Sequence, residues 1–92
     1  MSTKKKHYVY SLNLANGKKY VGMTANIDRR MNQHFSGNGA KWTQKHEPVS
    51  INRISEYKNK SEARQVETEV YYKMKNYHGG GKVRGAGYTK SY

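Results

Sequence analysis

Tyr10 and Tyr20 stand ten residues apart, Arg30 follows ten residues later, and His34 comes one helical turn after that. A glutamate, Glu67, lies in a later run of helical period. Each residue type has a defined use around a phosphate. An arginine fork matches phosphate oxygens. A tyrosine can orient or deprotonate an attacking water, and a histidine can pass protons. A carboxylate holds a hard divalent cation. Together they would serve phosphodiester hydrolysis, which needs an activated water, a neutralised phosphate and a stabilised leaving oxygen. The bland reading is that these residues are the solvated surface of a small basic protein.

Placing them requires elements. Residues 7–14, HYVYSLNL, alternate Tyr8, Tyr10, Leu12 and Leu14 against Val9, Ser11 and Asn13, the period of a half-buried strand. KKYVGM, residues 18–23, is the returning strand after the ANGK turn. Loop length decides where the tyrosines go. A two-residue Asn16-Gly17 turn would pair Leu12 with Val21 and split the two rings between faces. A three-residue loop with Gly17 left-handed pairs Leu12 with Tyr20 and Tyr10 with Gly22, placing both rings on one face. The three-residue loop is expected.

Asn26 is the expected N-cap of a helix over 27–36, closed by Gly37. At about 100° per residue, Ile27, Met31 and Phe35 form its apolar arc. Arg30 and His34 flank that arc, whereas Arg29 points away from it. SGNGAKWTQKHEP is a loop with one helical turn around Trp42. Residues 49–57 form a third strand whose alternation breaks at Asn52-Arg53. Ser61 caps a helix over 62–76 with an arc of Ala63, Val66, Val70, Tyr71 and Met74. Glu62 and Glu69 fall on its polar side, and Glu67 falls inside the arc. A buried acid needs a partner. Two readings stand open, an ion pair with an arginine or a ligand to a metal.

The chain has 92 residues, fitting one domain over 7–92 behind a basic disordered arm over 1–6, with a glycine-rich basic tail as loop. It has no Cys, and its four His show no paired helical spacing, so no zinc site is expected. No apolar run approaches the roughly 20 residues that span a bilayer, so a soluble intracellular protein without a membrane partner is expected. Eighteen Lys and Arg against six acids give a net charge of +12. That excess points to a polyanion, nucleic acid before membrane. Lys19, Arg29, Lys41, Lys45, Arg53, Lys82 and Arg84, with Lys4, Lys5 and Lys6, are the expected phosphate contacts.

Tyr8-Val9-Tyr10 followed by Tyr20-Val21-Gly22 resembles the paired motif of the GIY-YIG nucleases, although Tyr8 and Val9 replace its Gly and Ile. Thr24, Arg30 and His34 are similar to the family's next helix, and RQVETEVYY resembles its later one. The likeness spans residues 8–72. It implies an α+β fold, a small three-stranded antiparallel sheet flanked by helices, and cleavage of DNA with one Mg2+ or Mn2+. By the same resemblance Tyr10 and Tyr20 position or activate the water, and Arg30 binds the scissile phosphate. Glu67 ligates the metal, and His34 assists at the phosphate or leaving group. The family's C-terminal Asn is replaced, with GAGYT offering Thr89 and Asn76 a distant candidate. A stand-alone endonuclease of low sequence specificity, or one preferring nicked, branched or damaged DNA, is expected, with a homodimer as one aid to target choice. The alternative is a non-catalytic basic nucleic-acid-binding module with a degenerate nuclease fold, in which Glu67 pairs internally with Arg30.

Overall fold

The computed structural model describes residues 6–79 and 81–85. Most of the expected arm, together with Thr89 and the end of the tail, lies outside them. The elements run β1 (His7–Leu14), β2 (Lys19–Thr24), α1 (Ile27–Phe35), α2 (Lys41–Lys45), β3 (Pro48–Tyr57), α3 (Lys60–His78) and β4 (Val83–Gly85).

The β1–β2 hairpin closes through Ala15–Gly17, with Leu14 N–H donating to the Lys18 carbonyl across 2.8 Å. Asn16 and Gly17 both take left-handed backbone, at φ 62° and 73°. That is the three-residue loop, and the register follows from it: Tyr10 opposes Gly22, and Leu12 opposes Tyr20. Both tyrosines therefore face one side of the sheet, their ring centroids 6.2 Å apart.

The sheet has four strands in the order β3-β1-β2-β4 rather than the three expected. β1 runs antiparallel to both β2 and β3, while β4 is parallel to β2, so the sheet is mixed. Three residues set among glycines carry no readable period. What builds β4 is non-local. Lys19 N–H donates to the Lys82 carbonyl at 2.7 Å, and Gly85 lies against Val21 so closely that a Cβ would collide with the Val21 backbone. The part of the tail expected as loop is thus a strand over Val83–Gly85.

Strand period two divides the core. Val9, Val21 and Val83 meet Ala63 and Tyr71 of α3 on one face. Tyr10, Leu12, Leu14 and Tyr20 meet Ile27, Met31, Ala40 and Trp42 on the other. The break in β3 alternation at Asn52 is a bulge, where pairing steps from Ser11–Arg53 to Leu12–Ile51, and a second shift skips Val49 between Asn13–Ser50 and Leu14–Pro48. Asn52, the first extra residue, donates to Ser11 Oγ across 3.0 Å.

Helix ends follow their caps. Asn26 Oδ1 accepts from Arg29 N–H at 3.0 Å, as expected. α3 starts at Lys60 rather than 62, because Asn59 Oδ1 accepts from Glu62 N–H at 2.8 Å and precedes Ser61 as a competent cap. It continues to His78, where Gly79 takes φ 97°. Phe35, expected to complete the arc of α1, is exposed, and His34 takes the buried place. Among the described residues no helix is long and apolar enough to cross a membrane.

Candidate active site

α1 crosses the tyrosine face of the sheet, and its capped first turn sets which residues look down. Arg29 is exposed, Arg30 half-buried and His34 fully buried. Below them the Tyr10 ring lies across Gly22, where any Cβ would meet the phenol. The glycine of the second motif is therefore the floor on which Tyr10 rests. Tyr10 Oη is 2.7 Å from His34 Nε2. Arg30 Nε donates to the same Oη at 3.4 Å, and its Nη1 donates to Gln33 Oε1 at 2.9 Å. The Tyr20 and His34 ring centroids are 5.2 Å apart. On its other edge, His34 Nδ1 lies 3.0 Å from Thr43 Oγ1.

Burial sets the charge states. It pushes both phenols above the usual tyrosine range, with Tyr20 adding to the effect on Tyr10 and the Arg30 charge opposing it at both. Burial, then the Arg30 charge, lowers His34 to about 4, so its imidazole is neutral near pH 7. Desolvation works against the Arg30 charge, but the bonds and fields of Tyr10 and Tyr20 outweigh it and hold the guanidinium above its ordinary value.

Glu67 is buried on α3. Desolvation raises its carboxyl above the usual range, with only the Arg64 charge opposing, and its own charge acts on both phenols. Among the described residues no hydrogen bond or ion pair engages this carboxylate, and Arg30 turns to Tyr10 and Gln33 instead. Glu62 and Glu69 are exposed. Among the described residues no three His, Cys, Asp or Glu side chains gather into a ready ligand set. A desolvated carboxylate with no hydrogen-bond or ion-pair partner among the described residues suits Mg2+ or Mn2+, since magnesium keeps several waters and takes one or two protein oxygens. Glu67 is the residue that would hold it.

The GIY-YIG catalytic domain family matches residues 6–79, which include all five of these residues. The chain belongs to the GIY-YIG family. A UPF0213 protein of Natronomonas pharaonis is 41% identical over 64 residues, 70% of this chain and 75% of that protein. One from Halalkalibacterium halodurans is also 41% identical over 64 residues, 70% of this chain and 68% of its own length. The solution NMR structure of a UPF0213 protein from Bacillus halodurans is 36% identical, covers 79% of this chain and 80% of that one, and aligns with a TM-score of 0.48. Membership suggests a nuclease.

The expected phosphate contacts of this GIY-YIG domain differ in exposure. Arg29, Lys41, Lys45, Arg53 and Lys82 are exposed. Lys19 is half-buried and donates to Asn13 Oδ1 at 2.7 Å. Arg84 is buried, its guanidinium 4.6 Å from the Trp42 ring centroid, so it joins β4 to α2. Sequence reasoning passed over Gln33, Gly39 and Thr43. Gly39 lets its loop close on His34, since a Cβ there would run into Nδ1. No local period marks these residues. A polar residue three positions after Arg30 was the one available signal, and it bears on Gln33 alone.

Proposed function

We propose that this protein is a divalent-metal-dependent DNA endonuclease that hydrolyses phosphodiester bonds with low sequence specificity or a preference for DNA structure. The observation that carries it is the pairing of opposites at one site. A neutral Tyr10–His34 couple is hydrogen-bonded beside the Arg30 cation, and the Tyr10 and Tyr20 phenols feel the charge of a buried Glu67 carboxylate that has no protein partner among the described residues.

On this reading Arg30, held by Tyr10 and Gln33, binds a non-bridging oxygen of the scissile phosphate. Tyr20 orients the attacking water, and Tyr10 accepts its proton while passing its own to His34. Burial first and the Arg30 charge second depress His34, and the arriving phosphate offsets the second of these, which makes the imidazole more basic. Glu67 would hold the divalent ion, which when bound would supply charge neutralisation at the phosphate. Exposed Arg29, Lys41, Lys45, Arg53 and Lys82 hold the backbone, a mode of contact that positions the duplex without reading sequence.

The test is nicking of supercoiled plasmid with Mg2+ or Mn2+, beside EDTA and Glu67→Gln. Metal-dependent nicking lost in both controls is the expected result. Tight binding without cleavage would replace this reading with the binding-module alternative, and cleavage that survives Glu67→Gln would move the metal elsewhere.

A further inference from the structure

Thr43 is buried on α2, with its hydroxyl oxygen 2.7 Å from the Ala40 carbonyl and 3.0 Å from His34 Nδ1. A hydroxyl has one proton to give, and a carbonyl can only accept. The Thr43 proton therefore goes to Ala40, leaving its lone pairs toward Nδ1. Nδ1 must then carry the proton of the neutral ring, and Nε2 the lone pair. That lone pair faces the Tyr10 hydroxyl at 2.7 Å, which donates to it. Three bonds thus run in one direction, from Tyr10 to His34 to Thr43 to Ala40. Gly39 lets the loop close over them, because a Cβ there would crowd both Nδ1 and the Thr43 hydroxyl.

We propose that Thr43 is a positioning residue whose hydroxyl fixes the His34 tautomer that leaves Nε2 open to receive the Tyr10 proton. The consequence for catalysis rests on the nuclease reading above; the tautomer does not. In the hydrolytic step, water gives a proton to the Tyr10 oxygen as the Tyr10 proton passes to Nε2. The imidazole becomes imidazolium with its Thr43 bond unchanged. The water oxygen bonds to phosphorus, the bond to the leaving oxygen breaks, and that oxygen takes a proton from solvent. The imidazolium afterwards returns its extra proton through Tyr10 to solvent, so one water is consumed and no charge is left behind. Without the Thr43 acceptor, the ring is free to put its proton on Nε2, where it would point at the phenol oxygen and block the transfer.

The experiment is a long-range 1H–15N correlation of the imidazole in 15N-labelled protein, with plasmid nicking measured on the same samples. The parent protein and Thr43→Ser should show a protonated Nδ1 and a bare Nε2. Thr43→Val, nearly the same shape, should move the proton toward Nε2 and lower kcat by about 10-fold or more at little change in KM. Thr43→Ser should restore both. Nε2 protonated in the parent protein overturns the proposal with no variant needed, even if Thr43→Val fails to fold. Thr43→Val keeping the parent tautomer overturns it whatever the nicking rate. A tautomer that moves as expected in a protein that cleaves no DNA would uphold the role of Thr43 and refute the nuclease reading instead.

Discussion

The Tyr10 hydroxyl and His34 Nε2 lie 2.7 Å apart in a site where both side chains are buried, so this bond satisfies Nε2, while Arg30 Nε gives the hydroxyl a second partner. Tyr10→Phe removes the phenol and leaves the ring nitrogen without a donor. The expected stability loss is about 1–2 kcal/mol, read as a lower midpoint in denaturant melts. Nicking should fall by roughly 10²–10⁴ while DNA affinity stays close to that of the parent. Undiminished nicking would take Tyr10 out of the chemistry.

His34 also makes stability depend on pH. Its pKa is lowered from 6.5 to about 4 in the folded chain, so the unfolded chain takes up the proton first as pH falls. Stability from this group is full above about pH 6.5, declines as pH drops toward 4, and levels off below it. The total at stake is of order 3 kcal/mol. His34→Gln, which stays neutral, should flatten that slope. Melts from pH 4 to 7 whose slopes match in the two proteins would show that His34 is not the titrating group.

Gly22 and the Tyr10 ring occupy adjoining space, and a Cβ at 22 overlaps the phenol. Gly22→Ala should therefore displace Tyr10 from His34, cost roughly 1–3 kcal/mol and abolish nicking. A folded, active Gly22→Ala would mean that the ring has room the packing does not show.

Arg29 and Arg30 are neighbours in sequence with different surroundings, the first exposed and the second bonded to Tyr10. Arg30→Lys keeps the charge but loses the planar fork, so kcat/KM should fall by roughly 10-fold or more with binding little changed. Arg29→Ala should leave kcat alone and weaken DNA binding, reducing the slope of log K against log salt by about one if it contacts one phosphate. Equal kinetic losses at the two positions would contradict the inward placement of Arg30.

Local rules carried the hairpin and half of the site. Asn16 and Gly17 both accept left-handed backbone, so loop length, register and the shared face of Tyr10 and Tyr20 could be reckoned within 18 residues. Helical spacing turned Arg30 inward and Arg29 outward, and it placed Glu67 in the arc of α3. The cap of α3 was misplaced by two residues because Asn59 and Ser61 are both good caps, and local rules do not rank them.

What the amino-acid order determined by itself were periods, turns and which residues could share a face, because those depend on neighbours along the chain. The tertiary structure decided the rest. It made a strand of Val83–Gly85 through the edge of β2, and it buried Arg84 on Trp42. It brought Thr43 to His34 and left the Glu67 carboxylate without a partner among the described residues. Each of these is a contact between distant segments. Its energy depends on what else arrives in the same space, and no window of sequence contains that information.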